Sequence, residues 1–491
     1  MLETPTKMPG THILILAVGF GTFLGALDSS IVNVSLFTMS MQLGVDMNAI
    51  QWVILAYLLV ITAFMPLMGK IGDRLGKTRV FQMGMIIFII GSFFCALSTT
   101  LPILVVSRIF QAIGASIMSA NGMALITYFT TPQDRGRAIG MISVILAAAL
   151  GLGPVIGGFL SQYYGWPSIF LVNLPIGVIG YLLMQKYIPE TKRVEETKFD
   201  MIGATLFFTF LFVLVYYVSI ATTAEFVLSV TLISIIVVSF FGFILRESRF
   251  SSPIIPTKVL ADRRISTSIF SALFAYMGLV PVIFLMPFFL QEALGFTQSI
   301  TGLFLVVHPL TISITGPVAG FISERVLAKY QTVFGLVVEL VGLILLAYAM
   351  PNIILMAASV VVLGFGLSLF TVANGNFIMT SSPKQYMGVV SALINISRTT
   401  GFSVGTAAVT AIFAFLLLLF NPGGLDSGPE FVLAYTMSVQ YAIWFFCTFV
   451  VVAIFVSAFR GMTREENDRE NGIVNEGPPV LSPYESDSSE Q

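Results

Sequence analysis

The stretch GALDSSIVNVSL, residues 25–36, places an aspartate, Asp28, in the middle of an apolar run that begins near Ile13. About 20 consecutive apolar residues are enough for a helix to cross the hydrocarbon core of a bilayer. An acidic side chain at the centre of such a helix costs roughly 2.5–3.5 kcal/mol on insertion scales. We therefore expect this run to span a membrane, and we expect Asp28 to have a charged partner or water beside it.

The rest of the chain has the same character. Of its 491 residues, 56% are hydrophobic and only 10% are charged, with a mean hydropathy of +0.94, whereas soluble proteins carry about 25% charged residues. Further apolar runs of similar length follow the first, which makes fourteen predicted spans. Such long apolar blocks differ from the short alternating segments of a membrane β-barrel. The predicted fold class is an all-α polytopic membrane protein.

The basic residues indicate how the spans are oriented. Of the 24 Lys and Arg residues, all but Arg108 and Arg398 lie in the two termini, in the segments after even-numbered spans, or at an adjoining helix end. The positive-inside rule then places both termini in the cytoplasm, with the protein in the cell membrane. The net charge of −1 gives no reason to expect a nucleic-acid partner. The polar tail from about residue 461 is predicted to be disordered.

The order of the spans indicates duplicated halves. GKIGDR at 69–74 follows span 2, and the similar GFISER at 320–325 follows span 10, the second span of the later half. Transporters are commonly built from such repeats. The predicted units are an N-terminal six-helix bundle (1–186), an inserted helix pair with cytoplasmic linkers (187–265), a C-terminal six-helix bundle (266–460) and a disordered cytoplasmic tail (461–491).

Five motifs occur, each at a characteristic span. They are LDSSIVNVSL (27–36), GKIGDRLGKTR (69–79), RIFQAIGAS (108–116), GLGPVIGG (151–158) and FDMIGATL (199–206). Together they resemble the motifs of the major facilitator superfamily, specifically its fourteen-span drug:proton antiporters, over nearly the whole chain up to about residue 460. The resemblance implies two six-helix bundles with two inserted helices, a central cavity, and export driven by a proton gradient without a cofactor.

The chain departs from the family pattern at four places. Ala112 stands where the span-4 motif usually has Gly, and Glu324 replaces the usual Asp of the second signature loop. Pro167 and Ser168 stand where the family commonly places Arg and Trp. His308 occupies an otherwise apolar place in span 10, and this departure bears on coupling or substrate choice.

Two of the motifs concern gating and helix packing. The gating motif between spans 2 and 3 consists of Gly69, Asp73, Arg74, Gly76 and Arg79. Its basic residues alone would hold the loop in the cytoplasm, but the resemblance implies that Asp73 bonds neighbouring helix ends and holds one gating state.

The antiporter motif in span 5 consists of Gly153, Pro154, Gly157 and Gly158. Small residues four apart allow close helix packing, and the resemblance implies a hinge and seal typical of exporters.

Asp28 and Arg108 are the main candidates for proton coupling. At 1.5 Å per residue, Asp28 lies about 12 Å inside the outer end of span 1, and Arg108 roughly 10 Å inside that of span 4. The two charges therefore share a depth. Our hypothesis is that Asp28 carries the proton and Arg108 modulates it, with a structural ion pair as the alternative. His308 and Glu339 are weaker candidates, for which structural roles are at least as good an explanation.

The family architecture also indicates where substrates bind. The residues expected to line the cavity are Asn33, Trp52, Tyr57, Gln111, Tyr276, Asn374, Asn376 and Arg398. A largely apolar pocket with few polar groups suits lipophilic or cationic compounds. The predicted function is multidrug efflux by proton antiport, with the lipid bilayer, protons and small substrates as partners.

Other functions are less well supported by the sequence. No metal cluster, nucleotide-binding loop or nucleophile–base set is evident, which argues against an enzyme and against ATP-driven transport. A dedicated exporter of one amphiphile, such as a lipid, siderophore or antibiotic, stays open. A proton-coupled importer or a non-transport membrane protein is a more distant alternative. We expect a monomer, and nothing in the sequence indicates a bound metal or a periplasmic adaptor.

Overall fold

The structure is a computed structural model that describes residues 10–191, 200–250, 253, 257–323, 325–382, 387–425 and 427–460. Fourteen helices in this part are long and apolar enough to cross a membrane, which confirms the number of spans expected from the sequence. The helices α1 to α14 are Thr11–Leu43, Met47–Leu75, Lys77–Ala96, Leu101–Phe129, Pro132–Tyr164, Ser168–Tyr187, Met201–Ile220, Phe226–Arg249, Arg263–Ala293, Gln298–Ser323, Ala328–Ala349, Ile353–Ser381, Met387–Phe420 and Pro429–Ala458. Glu324 and the tail expected to be disordered lie outside the described residues.

The membrane explains why the long elements are helical. In hydrocarbon every backbone N–H and C=O must be paired within its segment, and an α-helix does this. The turn between α2 and α3 depends on Gly76, whose φ of +100° would strain a residue with a side chain. Helix α9 is less regular, since it contains π-helical turns at Pro281–Leu285 and Phe289–Ala293. Such turns often occur at functional sites.

The two six-helix halves repeat the same close helix contact. In the first half, α3 and α4 meet where a Cβ on Gly84 would lie 3.0 Å from the carbonyl oxygen of Gly114. In the second half, α11 and α12 meet where a Cβ on Gly335 would lie 2.8 Å from the carbonyl oxygen of Gly366. Small residues at these positions let the backbones approach. The third and fourth helices of each half thus share one packing mode, in agreement with duplicated halves.

The inserted helices α7 and α8 pack against each other, and α7 also contacts α2 and α13. Asp200 accepts a hydrogen bond from the first turn of α7 and pairs with Arg246 of α8 at 3.0 Å. An apolar crevice of about 550 Å³ lies between this pair and helices α9, α13 and α14. Through α7 the inserted pair therefore touches both halves.

The two halves are hydrogen-bonded to each other on one side of the protein. We call the side with the α2–α3 and α10–α11 loops the basic side, and the other the opposite side. On the opposite side, Gln291 of α9 donates to the carbonyl of Val34 in α1 at 2.9 Å. Gln298, at the start of α10, donates to the hydroxyl of Thr38 in α1. These bonds join the halves and close the opposite side.

Candidate functional site

The centre of the N-terminal half holds a buried ion pair between α1 and α4. Arg108 Nη1 donates to Asp28 Oδ2 at 2.5 Å, and the two side chains are 1% and 0% exposed. The matched depths of the two charges along their spans predict this contact. Pairing is required here because an isolated charge is expensive to bury in an apolar interior.

Two neutral amides also hold Asp28. Gln111, on the next turn of α4 after Arg108, donates through Nε2 to Asp28 Oδ1 at 2.9 Å. Asn173 of α6 donates to the same oxygen at 2.9 Å, and the hydroxyl of Ser92 on α3 accepts a hydrogen bond from Gln111 at 2.7 Å. The carboxylate therefore accepts three hydrogen bonds from three side chains.

Arg108 has acceptors besides Asp28. Its Nη1 also donates to Gln111 Oε1 at 2.6 Å, and its Nε donates to the carbonyl of Val53 in α2 at 3.2 Å. The guanidinium carbon lies 3.9 Å from the ring centre of Tyr57, which is a cation–π contact. Arg108 would therefore remain held by α2 and α4 if its bond to Asp28 were lost.

The sequence reasoning missed two members of this network, Asn173 and Ser92, both of which are fully buried. A polar amide at the start of the sixth span was the available signal for Asn173, but the sequence does not show which helix it faces. Gln111, expected above to line the cavity, is instead buried in the network, because its amide bridges Asp28 and Ser92.

The two weaker candidates for proton coupling lie in the C-terminal half. Glu339 of α11 is fully buried, and neither carboxyl oxygen has a hydrogen-bond partner among the described residues. It lies against α9, where a Cβ on Gly278 would come within 3.2 Å of Glu339 Oε1. His308 of α10 is 8% exposed, and its Nε2 has no partner in the same part of the chain. Neither residue belongs to the network around Asp28.

The residues expected to line the cavity have different environments. Trp52 packs against the inserted helix α7, with its ring centre 6.0 Å from Phe212 and 6.2 Å from Tyr216, because that helix offers an aromatic surface. Tyr57 is buried over Arg108, and Asn374 of α12 is buried with its amide donating to α9. The remaining members are exposed or partly exposed, as Trp52 is, and they are Asn33, Tyr276, Asn376 and Arg398.

The gating motif forms the turn between α2 and α3 on the basic side. Asp73 forms an ion pair with Lys77 at the start of α3, while Arg74 and Arg79 are exposed. Gly69 lies against α4. Within the described chain, Asp73 makes no bond to the C-terminal half. The latch expected from the family resemblance therefore stays a prediction about another conformation.

The antiporter motif of α5 lies between the halves on the opposite side. Gly153 and Gly157 face α1, and a Cβ on either would collide with that helix. Gly158 and the carbonyl of Pro154 face α10 of the C-terminal half, where the carbonyl lies against Gly302. The small residues thus let α5 contact both halves at once, which is the packing that a seal requires.

Comparison with known proteins connects this arrangement with a family. The family model described as Major Facilitator Superfamily matches residues 18–406 and residues 268–484. The chain belongs to this superfamily. Among solved major facilitator structures, it resembles a bacterial homologue of the human lysosomal transporter Spinster in an inward-facing, unoccupied conformation. The TM-score is 0.67 at 16% identity, over 92% of this chain and 96% of that chain, which shows the shared fold.

Two major facilitator relatives are named for transport or resistance. The riboflavin transporter RibZ of Clostridioides difficile is 31% identical over 451 residues, covering 91% of this chain and 97% of RibZ. The multidrug resistance protein Stp of Mycobacterium tuberculosis is 28% identical over 418 residues, covering 83% of this chain and 77% of Stp. The protein is therefore a multi-pass membrane transporter of the major facilitator type, acting on small substrates.

Proposed function

We propose that the protein is a proton-coupled antiporter that exports small lipophilic compounds by alternating access. The observation that carries this proposal is the buried pair of Asp28 and Arg108 with its amide partners, since an acid inside a span is costly and calls for a functional explanation. The similarity to Stp supports multidrug efflux. The family resemblance extends the expected cargo to cationic compounds.

Proton binding to Asp28 would change how α1 and α4 are held together. A protonated carboxyl no longer accepts the charge-assisted hydrogen bond from Arg108, and such bonds are the stronger kind. Arg108 still has two acceptors, Gln111 Oε1 and the Val53 carbonyl. The ion pair can therefore break without leaving the guanidinium buried and unbonded. Protonation of Asp28 therefore weakens the contact between α1 and α4, and deprotonation restores it.

The closed opposite side supports the same cycle. If the basic side faces the cytoplasm, as the positive-inside rule predicts, this conformation takes up cargo from the cytoplasm. Opening to the outside requires the halves to separate where α5 contacts α10 and where Gln291 bonds α1. Proton binding from the outside and release to the inside would then drive the return, because each ligand shifts the equilibrium towards the state that it binds better.

Transport by purified protein in proteoliposomes tests this function, with an imposed pH gradient and a fluorescent lipophilic compound. The wild type should accumulate the compound only when the gradient is present. Asp28→Asn keeps the side-chain size and removes the charge, so gradient-driven accumulation should be lost while exchange without a gradient persists. Asp46→Asn, at the exposed start of α2, is the matched control and should behave as the wild type. Full gradient-driven transport by Asp28→Asn would refute the proposal.

The similarity to RibZ favours a second candidate, a dedicated carrier of one compound. Such a carrier would show saturable transport of that compound and no proton movement with a panel of unrelated lipophilic dyes. In either case we propose units of 1–186, 187–265 and 266–460, cytoplasmic termini and a functional monomer. The direction of substrate movement relative to the proton separates an exporter from an importer.

A further inference from the structure

The second arginine within a span is Arg398 of α13. In the described part of the chain it forms no ion pair, and its Nη2 donates to Asn395 Oδ1 on its own helix at 3.1 Å. Its side chain is partly accessible. Arg108, by contrast, is buried against Asp28. An uncompensated charge within a span is costly, so Arg398 calls for a binding partner.

The position of Arg398 on α13 separates it from the membrane surface. The helix begins at Met387, and eleven residues at 1.5 Å each place Arg398 about 16 Å along it. On one flank, Gly401 lets α9 approach so closely that a Cβ there would lie 2.5 Å from the carbonyl of Leu273. On the other flank, Ala407 belongs to an apolar cluster that includes residues of α2. At 100° per residue, Arg398 lies about 60° from Gly401 and on the opposite side of α13 from Ala407, so it adjoins α9 and points away from the apolar cluster with α2.

Aromatic and polar groups accompany Arg398 on this face. Tyr276 of α9 lies beside this face, because a Cβ on Gly401, three residues after Arg398, would come within 3.2 Å of the Cβ of Tyr276. The ring of Tyr276 lies 5.5 Å from that of Phe402, one turn further along α13. Glu339 is fully buried against Gly278 of α9 and forms no ion pair with Arg398 in the described part of the chain. The accessible charge of this site is therefore the positive charge of Arg398, and the rings of Tyr276 and Phe402 provide an apolar surface beside it.

We propose that Arg398 binds an anionic group of the exported compound, so that the preferred cargo is a lipophilic amphiphile with a negative charge. This inference rests on the proposed function, and it replaces the cationic cargo expected from the family resemblance. The planar guanidinium matches a carboxylate or phosphate with two parallel hydrogen bonds. The rings of Tyr276 and Phe402 receive the apolar body of the molecule. The anionic group supplies a counter-charge to Arg398, which forms no ion pair with the described residues.

Binding of three matched probes to the purified transporter in detergent tests the inference. The probes are one dansyl-labelled alkyl chain that ends in a carboxylate, in the corresponding amide, or in an ammonium group. Dansyl fluorescence reports binding without a pH gradient, so the result does not depend on proton coupling. The wild type should bind the carboxylate at least about tenfold more tightly than the amide, which corresponds to about 1.4 kcal/mol, and the ammonium probe most weakly.

Variants at this position should remove the preference selectively. Arg398→Gln should weaken carboxylate binding about tenfold or more and leave amide binding unchanged, while Arg398→Lys should retain part of the preference because the charge remains. Arg249→Gln, at the exposed end of α8, is the matched loss of a basic residue and should bind all three probes as the wild type does. Equal carboxylate binding by Arg398→Gln, or a wild-type preference for the ammonium probe, would overturn the inference.

Two further outcomes are distinguishable. If anionic lipid added to neutral-lipid nanodiscs displaces the carboxylate probe from the wild type but not from Arg398→Lys, the site holds a lipid headgroup and the cargo assignment is wrong. If the carboxylate preference is present but no probe is moved by a pH gradient in proteoliposomes, the proposed antiport fails while Arg398 remains an anion site.

Discussion

Asn173 offers a quantitative prediction about the proton site, because its amide touches Asp28 without touching Arg108. Its Nδ2 lies 2.9 Å from Asp28 Oδ1 and 3.4 Å from Ser92 Oγ. A hydrogen bond to a charged group contributes about 1.5–3 kcal/mol, and about 1.4 kcal/mol is a factor of ten in an equilibrium constant. Since the ionised carboxylate accepts this bond more strongly than the neutral acid, Asn173→Ala should favour proton binding about tenfold to hundredfold.

The expected result is an alkaline shift of about one to two pH units in the midpoint of pH-dependent transport. Initial rates in proteoliposomes, measured over a pH series at a constant gradient, give this midpoint separately from the maximal rate. Asn48→Ala is the control, because Asn48 is exposed at the start of α2, away from Asp28 and outside the residues expected to line the cavity. An unchanged midpoint in folded Asn173→Ala protein would refute the assignment of Asp28 as the proton site.

Three further predictions concern the seal, the inserted pair and the unpaired acid. Gly158→Leu places a side chain against the backbone of α10, so the opposite side should open and a cysteine introduced there should be alkylated faster; unchanged labelling would contradict the seal. Asp200→Ala removes a helix cap and the ion pair with Arg246, and should cost about 1–2 kcal/mol, seen as a lower Tm in detergent with transport retained. If Asp28 carries the proton, as proposed, Glu339→Gln should leave gradient-driven transport unchanged; lost coupling would make Glu339 a second proton site.

Two features of the structure could be predicted from the sequence for physical reasons. The fourteen spans are recognisable because the bilayer imposes length and apolarity on every crossing helix. The contact between Asp28 and Arg108 could be predicted because charges inside spans are few and these two lie at one depth. Asn173 could not be assigned to the same site, since its role depends on the lateral packing of α6 against α1, which no local pattern encodes.

Trp52 and Gln111 show why the lining of the cavity could not be predicted as well. In membrane proteins, aromatic side chains face lipid, core and cavity alike. Trp52 packs on the rings of Phe212 and Tyr216 in the inserted helix α7, and the family resemblance did not predict this contact. Gln111 follows Arg108 by three residues, which places both on one face of α4. That spacing was the available signal that Gln111 belongs to the charge pair and not to an open cavity.

Proton release on substrate binding tests the central claim most directly, namely that Asp28 binds the transported proton. The measurement uses purified protein in weakly buffered detergent solution, where an indicator dye follows the pH as a transported compound is added. The wild type should release protons at saturating compound, and Asp28→Asn should bind the compound without releasing them. Proton release by Asp28→Asn equal to that of the wild type would contradict the account.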